Sequence, residues 1–492
     1  MKAKYKRLLF AFALAVTIPI QSISANAANL SVSNQIQLEK KAPSLGDASV
    51  YDTTDGNTDV SWPAGPNADK LSSDSAILMD VDTGLILYGK NITEQHYPAS
   101  ITKILTSLLC VENCSLNETV TFTEDEVTNL EYGASNINTQ PGEKLTMDQC
   151  LYGIMLSSAN EVCNGVADYI GGSTEGFAEM MNAKAAELGC INSNFMNSNG
   201  LHNDNHYTCA YDMALIGRAA LQNETFKKVA GTKVYYMDKT NKSDPRTLTN
   251  HHNMLYGYST TAFINSDCIG GKTGFTSMAQ STLVTFAQRN NTTLVCVVMH
   301  GTSSKTDLSR NIYTDTKTLL DFGFEKYTSY DLSSADTASE ENESPFFTTF
   351  DSIYDADTAP LKTNTSSKII LPNKVNPSKA KQEVIFYDGN NETKETDAIG
   401  NVSYTYGNKI VGSTDIYFNS EACSRLLAKD EDITYKNSTQ IAGKKHSRVI
   451  VIRRIGIVVS GVFLVGVLLF YFLVVRRNRQ QQKRYQNTRN KY

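Results

Sequence analysis

The segment IGIVVSGVFLVGVLLFYFLVV, residues 455–475, contains no charged residue over its 21 positions. A run of this length is long enough to span the hydrocarbon core of a bilayer as a helix. It also lacks the polar face that a helix lying on a membrane surface needs. The sequence therefore predicts one transmembrane helix, followed at 476–492 by a tail with seven Lys or Arg residues and no acidic residue. Such a basic tail suits contact with anionic lipid.

The N-terminus has the pattern of a secretion signal. Basic residues at positions 2, 4, 6 and 7 precede an apolar run at 8–20, and Ala25-Asn26-Ala27 fits a cleavage site of small residues. The sequence thus predicts a signal peptide at 1–27 and export of the body of the protein. We expect a single-pass protein of the cell membrane, with its body on the extracytoplasmic side and its short C-terminal tail in the cytoplasm.

The composition limits the number of domains and the classes of function that the chain can have. A chain of 492 residues suggests two or three domains, and a net charge of −5 has no basic excess that would indicate a nucleic-acid partner. The nine cysteines have neither zinc-site spacing nor the spacing of a compact disulfide framework. Several lie in apolar runs, as Cys296 does, so buried free thiols are the favoured interpretation.

Between residues 71 and 329 the hydrophobic pattern predicts strands at both ends and helices in the middle. One hairpin is expected around a turn at 82–84, and another around a turn near Asn290-Asn291. Helical spacing marks the segments 100–110, 148–172, 173–190 and 312–327. This order favours an α+β fold in which helices pack on an antiparallel sheet.

Ser100 and Lys103 stand three residues apart in the stretch YPASITKILT. A serine becomes a nucleophile at neutral pH when a base takes its proton, and a lysine held neutral can be that base. Positions i and i+3 share a helix face, and Pro98 suits a helix start. The motif is weak by itself, because Ser378 and Lys381 have the same spacing and a simple N-cap would also explain Ser100.

Two further motifs lie downstream. Ser158-Ala159-Asn160 falls at the break between two predicted helices, where a hydroxyl and an amide can relay a proton and bind a substrate amide; a helix cap is the alternative. Lys272-Thr273-Gly274 begins a predicted strand. There a lysine and a hydroxyl can bind a carboxylate, while the glycine lets a substrate backbone approach closely. A turn leading into a strand is the alternative for this second motif.

In combination, S-x-x-K, S-x-N and K-T-G resemble the signature of penicillin-recognising serine/lysine acyl-transfer enzymes. Residues 71–329 resemble a D-alanyl-D-alanine carboxypeptidase, a low-molecular-mass penicillin-binding protein. Supporting stretches are AILMDVDTGLILYGKN, MLSSANEVCNGVADYIGGS and GGKTGFTSMAQSTLVTF. The chain departs from the family in two places: Phe275 follows K-T-G where histidine is frequent, and the C-terminal anchor is spanning rather than amphipathic.

The resemblance implies a β-lactamase/transpeptidase-like catalytic domain, with helices on both faces of an antiparallel sheet and a helical subdomain. A small all-β domain and one C-terminal transmembrane helix would follow it. The expected boundaries are a signal peptide at 1–27, a polar linker at 28–70, the catalytic domain at 71–329, an acidic linker at 330–345, the β domain at 346–440, a juxtamembrane segment at 441–454, the transmembrane helix at 455–475 and the basic tail at 476–492.

The resemblance also implies the reaction, which is hydrolysis of the terminal D-Ala–D-Ala bond of peptidoglycan pentapeptide stems through an acyl-enzyme. β-Lactam antibiotics would be covalent inhibitors, and no metal or cofactor is implied. The catalytic residues would be Ser100 as nucleophile, Lys103 as base, Ser158 as proton relay and Asn160 as a contact of Lys103 and the substrate amide. The substrate-binding residues would be Lys272 and Thr273 on the terminal carboxylate, Gly274, and Phe275 through its backbone N–H.

Three alternatives use the same residues differently. A serine β-lactamase shares the motifs but needs a deacylating carboxylate, and no clear E-x-x-L-N stretch lies between S-x-N and K-T-G. An endopeptidase that cuts cross-links stays open, because the motifs do not fix the length of the acyl donor. A non-catalytic receptor for the cell wall is a third alternative, and the intact motifs argue against it.

Overall fold

The structure is a computed structural model that describes residues 61–128, 130–302, 311–332, 361–363, 367–386 and 398–418. The expected signal peptide, juxtamembrane segment, transmembrane helix and basic tail lie outside the described residues. Within the described ranges, no helix is both long enough and apolar enough to cross a bilayer.

The strands and helices of the described chain have the following bounds. The strands are β1 Ser75–Asp80, β2 Ile86–Lys90, β3 Thr119–Thr121, β4 Lys144–Thr146, β5 Val234–Met237, β6 Arg246–Thr249, β7 Cys268–Thr276, β8 Gln280–Arg289, β9 Thr292–Gly301, β10 Tyr327–Asp331, β11 Leu361–Thr363, β12 Lys368–Pro372, β13 Lys381–Phe386, β14 Ala398–Tyr406 and β15 Lys409–Phe418. The α-helices are α1 Lys103–Asn113, α2 Glu124–Thr128, α3 Met147–Leu156, α4 Asn160–Gly171, α5 Thr174–Glu187, α6 Ala210–Leu221, α7 Glu224–Ala230 and α8 Ile312–Lys326.

The central sheet has five antiparallel strands in the order β2-β1-β9-β8-β7. Its strands bury residues on both faces, since Ile77 and Met79 of β1 join one hydrophobic cluster while Ala76 and Leu78 join another. Such alternation follows from the two-residue period of a strand. Helix α6 contributes to the first cluster and α8 to the second. The predicted antiparallel sheet with helices on both faces is therefore confirmed, as are its two hairpins.

Helices α1 to α7, with the short strands β3 to β6, occupy the chain between β2 and β7; the hydrophobic spacing predicts α1, α3, α4 and α5 but not α2, α6 or α7. Helix α3 begins with a capping box, in which the Thr146 side chain accepts from the Gln149 N–H and the Gln149 side chain accepts from the Thr146 N–H. Helix α3 ends at Leu156 and α4 begins at Asn160. The predicted break between two helices thus lies at the S-x-N motif.

The strands that follow α8 form two further antiparallel sheets, one of β10 with β12 and one in the order β11-β15-β14-β13. Strand β10 runs across the boundary expected at residue 329, because Tyr327 to Asp331 pair with Pro372 to Lys368. This pairing joins the end of the catalytic segment directly to the strands that come after it.

In the last part of the expected polar linker, 61–70, one residue, Trp62, is buried against the rest of the chain. The Trp62 side chain is only 5% exposed, and its ring contacts Tyr406 at 5.4 Å between centroids. The Lys409 ammonium lies 4.4 Å from the centroid of the Trp62 ring, in cation–π geometry. The indole thus attaches the start of this polar stretch to the strands that carry Tyr406 and Lys409.

The cysteines of the described chain are free thiols, and most of them are buried. Burial raises the pKa of Cys163, in α4, to about 11, and the nearby Lys103 opposes that shift. A thiol with such a pKa stays protonated at neutral pH and is a poor nucleophile. Cys423 lies outside the described residues.

Candidate active site

Ser100 and Lys103 lie at the junction of a short 3-10 turn and helix α1. The turn covers Ala99–Thr102, and α1 begins at Lys103. In a 3-10 turn the side chains at i and i+3 eclipse each other. The Lys103 Nζ atom accordingly lies 3.0 Å from the Ser100 Oγ atom. The sequence prediction that these two side chains touch is correct, although the turn that joins them is 3-10 rather than α-helical.

The Lys103 side chain is completely buried. Besides Ser100, its Nζ atom contacts the side-chain oxygen of Asn160 at 2.8 Å and the backbone oxygen of Asn199 at 2.5 Å. Burial lowers the pKa of Lys103, because the ammonium form loses hydration. Cys163 and Glu161 oppose this shift. The site therefore contains a buried lysine whose neutral form is favoured relative to a lysine in water.

Asn160 is the first residue of α4, and its amide has a fixed orientation. Its backbone N–H and its side-chain Nδ2 both donate to the Ser135 carbonyl oxygen, each at 2.9 Å. The side-chain Oδ1 is left to accept from Lys103. The structure thus brings Asn160 into direct contact with Lys103, as the sequence predicts.

Ser158 lies at the break between α3 and α4, with a left-handed backbone at φ 58° and a side chain 5% exposed. Among the described residues, no hydrogen bond joins its hydroxyl to Ser100 or to Lys103. Of the four expected catalytic residues, three form one hydrogen-bonded group: Ser100, Lys103 and Asn160. Ser158 lies two residues before Asn160 and makes no hydrogen bond to Ser100 or Lys103 among the described residues.

Strand β7 carries the K-T-G motif past the serine. A Cβ atom built on Gly274 would lie 2.9 Å from the Ser100 backbone nitrogen and 3.0 Å from the Pro98 oxygen. Thr282, which lies in the neighbouring strand β8 and pairs with Gly274, donates its hydroxyl to that same Pro98 oxygen at 2.8 Å. Glycine is therefore required at 274 by the close approach of the strand to the backbone at Ser100.

Lys272 is a second buried lysine of the site, 2% exposed, and its Nζ atom donates to the Thr273 carbonyl oxygen at 2.9 Å. Burial, followed by the positive charge of Lys103, holds the pKa of Lys272 well below its usual range. Thr273 is half-buried, while the Phe275 side chain is 68% exposed. The motif thus presents a buried amine, a hydroxyl and an exposed ring along one strand.

Several groups of the site have no signal in the sequence. Asn199 and Ser135 act through backbone carbonyl oxygens, and any residue type has one. Gly200, next to Asn199, has φ 82°, and a Cβ atom there would lie 1.9 Å from the Ala99 oxygen. Gly200 is the one sequence signal for this contact, since a residue without a side chain permits the loop at Asn199 to pack against the turn that carries Ser100.

Within the ranges that the structure covers, no group of three or more His, Cys, Asp or Glu residues is placed to hold a metal ion. The site consists of a hydroxyl, two buried amines, an amide and backbone groups. Such a set can activate a serine, bind a carboxylate and stabilise an oxyanion.

Comparison with known proteins places this arrangement in a family. A family model described as D-alanyl-D-alanine carboxypeptidase matches residues 63–303. The D-alanyl-D-alanine carboxypeptidase DacF of Bacillus subtilis is 36% identical over 262 residues, which are 52% of this chain and 64% of that protein. DacB2 of Mycobacterium tuberculosis, with the same description, is 30% identical over 250 residues, which are 50% of this chain and 81% of that protein.

Penicillin binding protein 6B from Escherichia coli has a similar fold, with a TM-score of 0.52 and 22% identity, covering 72% of this chain and 96% of that one. The matched region thus spans less than two thirds of the Bacillus relative and most of the mycobacterial one. From the family match, and from the identity over most of the mycobacterial relative, the chain belongs to the D-alanyl-D-alanine carboxypeptidase family.

Proposed function

We propose that the chain is a serine-type D-Ala-D-Ala carboxypeptidase, which removes the terminal D-alanine from peptidoglycan pentapeptide stems. One observation carries this proposal: the buried Lys103 amine lies 3.0 Å from the Ser100 hydroxyl. A general base has to lie within hydrogen-bond reach of the proton that it takes, and this pair meets that condition. Penicillins would acylate the same serine.

The partners of Lys103 suit a neutral amine. The Asn160 side-chain oxygen and the Asn199 backbone oxygen can only accept hydrogen bonds, so they take the two N–H groups. The lone pair of the neutral amine then faces the Ser100 hydroxyl, which can donate. Ser100 attacks the carbonyl carbon of the penultimate D-alanine, and its proton passes to the Lys103 Nζ atom. Water later releases the acyl group from Ser100.

Lys272 and Thr273 bind the terminal carboxylate of the substrate in this proposal. A bound carboxylate favours the charged form of Lys272, because an opposite charge raises the pKa of an amine. A positive Lys272 in turn disfavours a second positive charge on Lys103, since the two lysines interact. Substrate binding would therefore assign the charge to Lys272 and leave Lys103 neutral for its role as base.

The backbone N–H groups of Ser100 and Phe275 would form the oxyanion hole, which the close approach of Gly274 to Ser100 supports. Ser158 would pass a proton to the amine of the leaving D-alanine. This step requires its hydroxyl to turn towards the substrate, because it makes no hydrogen bond to Ser100 or Lys103 among the described residues.

The proposed attachment to the membrane and the proposed order of the domains rest on the sequence. A cleaved signal peptide at 1–27 and a spanning helix at 455–475 would place the catalytic domain outside the cell membrane and the basic tail inside. Residues 346–440 would form the small all-β domain, which the four-stranded sheet of β11, β15, β14 and β13 supports. The roles of these segments are separate from the chemistry at Ser100.

The experiment that tests the activity uses the purified full-length chain and a synthetic pentapeptide stem ending in D-Ala–D-Ala. We expect release of free D-alanine, together with a penicillin adduct that peptide mapping places on Ser100. Cleavage of cross-linked dimers in preference to pentapeptide would indicate an endopeptidase. Rapid penicillin turnover without a lasting adduct would indicate a β-lactamase, and no adduct at all would indicate a non-catalytic receptor.

Gly274→Ala should slow acylation by penicillin on the order of 10²-fold, because the new methyl group displaces strand β7 from the serine and small misplacements have effects of that size. The measurement is the rate of adduct formation at fixed penicillin concentration. Gly189→Ala is a control, since its left-handed φ of 81° gives backbone strain but a Cβ atom there meets nothing within 4 Å. Equal rates for wild type and Gly274→Ala would contradict the close-approach argument.

A further inference from the structure

Glu161 is a buried carboxyl that follows Asn160 directly in the first turn of α4, and it has no part in the mechanism above. It is 1% exposed. Its Oε1 atom accepts from the Ile137 N–H at 2.7 Å, from the Thr139 hydroxyl at 3.1 Å and from the Thr139 N–H at 3.4 Å. One oxygen thus binds the segment 137–139 to the helix that begins with Asn160.

The same segment is bound from its other side. The Arg246 guanidinium donates to the Ile137 carbonyl oxygen at 2.8 Å, and Arg246 is itself paired with the fully buried Glu143. The N–H and the C=O of Ile137 therefore have separate charged partners on different elements. Charge-assisted hydrogen bonds of this kind are stronger than neutral ones, so residues around Ile137 have a defined position.

Ser135, two residues before Ile137, supplies the carbonyl oxygen that accepts both N–H groups of Asn160. The orientation of the Asn160 amide depends on that carbonyl, and the contact of Asn160 with Lys103 depends on the orientation. A connected series of hydrogen bonds thus runs from Glu161 through the loop 135–139 and Asn160 to the base.

We propose that Glu161 is a positioning residue of the active site, which fixes the loop 135–139 so that the Ser135 carbonyl orients Asn160 towards Lys103. The inference rests on the proposed function of Lys103 as base and adds a residue to it. Among the described residues Glu161 makes no hydrogen bond to Ser100 or Lys103, so its positioning effect passes through the loop and Asn160.

Glu161 also acts through its charge when it is ionised; burial raises the pKa of this carboxyl, and the hydrogen bonds from Ile137 and Thr139 oppose that shift. The titratable groups that interact with it are Lys103 from α1, Cys150 from α3 and Cys163 from α4. A carboxylate near Lys103 favours the ammonium form and so raises its pKa, against the effect of burial. The base works only when neutral, so acylation slows as the pH falls and Lys103 becomes protonated; this decline is the acid limb of the pH–rate profile. Removal of the Glu161 charge therefore moves the acid limb to lower pH.

Two conservative variants separate the positioning effect of Glu161 from the effect of its charge. Glu161→Asp keeps the charge and shortens the side chain, so the bond to Ile137 is lost; we expect acylation slower on the order of 10²-fold, with the acid limb in place. Glu161→Gln keeps the accepting oxygen and removes the charge; we expect a rate close to wild type and an acid limb at lower pH. Rates are measured with a fluorescent penicillin on the full-length chain, per molecule able to react.

Asp315→Asn is the matched control. Asp315 is a buried carboxylate that accepts from the backbone N–H groups of Ser72 and Ser73, so it joins two segments as Glu161 does, without a contact to Asn160 or Lys103. This variant should acylate at the wild-type rate. In the Asn160→Ala background, Glu161→Asp should add little further loss, since residues that act through one another are not additive.

The outcomes distinguish this inference from the function on which it rests. Absence of an adduct in the wild-type chain overturns the proposed function. A wild-type adduct with an unchanged rate in Glu161→Asp overturns the positioning role alone, as does an equal loss in Asp315→Asn. If the double variant loses rate by the product of the Asn160→Ala and Glu161→Asp losses, Glu161 does not act through Asn160.

Discussion

Ser100→Ala should abolish the covalent adduct with penicillin completely. The Lys103 amine lies 3.0 Å from the Ser100 hydroxyl, and its other two contacts are carbonyl oxygens, which cannot attack an acyl group. The nearby Cys163 cannot replace the serine, because burial raises its pKa to about 11 and keeps it protonated. The measurement is fluorescence of the labelled chain after denaturing electrophoresis, with intact mass as a second readout.

The chain offers its own control for this result. Ser378 and Lys381 repeat the S-x-x-K spacing, but Ser378 lies on a short 3-10 turn at Pro377–Lys379 and Lys381 is exposed at the start of β13. The second motif therefore lacks the burial that surrounds Lys103. Ser378→Ala should therefore label as wild type does. Persistent labelling of a folded Ser100→Ala protein, judged by an unchanged melting temperature, would show that the nucleophile is another residue.

This contrast between two identical motifs shows what spacing alone can predict. The i to i+3 separation predicts contact between a serine and a lysine, and it is equally present at 378–381. What differs is burial, which depends on the segments that pack around Lys103 from distant parts of the chain. The downstream Lys272-Thr273-Gly274 pointed to Ser100 because three independent motifs in a fixed order are far rarer than any one of them.

The scaffold was predictable where a local period determines it. Alternation of apolar residues located the hairpins of β1 with β2 and of β8 with β9, and the S-x-N turn fell between α3 and α4 as the helical spacing predicts. The packing of Trp62 was missed, because one indole in a polar stretch gives no periodic signal. Strand β10 was missed for a related reason, since its partner β12 lies far along the chain.

The part of the site that sequence reasoning missed consists of backbone groups and of Glu161. The carbonyl oxygens of Ser135 and Asn199 contact the side chains of Asn160 and Lys103, respectively, only because tertiary packing brings two loops to them. No residue type marks such a carbonyl. Glu161 is visible in the sequence, but a glutamate in the first turn of a helix is common for electrostatic reasons, so only its burial and its contacts single it out.

Lys103→Ala should lower the rate of acylation by roughly 10²- to 10⁴-fold, the usual range for loss of a general base. The other two partners of the Lys103 Nζ atom, Asn160 and Asn199, present carbonyl oxygens to this point, and these cannot replace an amine as base. The measurement is the time course of adduct formation with a fluorescent penicillin, and Lys381→Ala, at the exposed second motif, should leave the rate unchanged.

The pH dependence provides an independent check on the same residue. Burial lowers the pKa of Lys103, so the neutral amine becomes populated at a lower pH than for a lysine in water. Acylation by the wild-type chain should therefore rise with pH through an acid limb that lies below the usual lysine range, and the limb should vanish in Lys103→Ala. A loss of only tenfold, or a limb that survives the substitution, would show that the base is a different group. Lys272 would then be the group to test, because it is the other buried amine of the site and is lowered in pKa by the same physical cause.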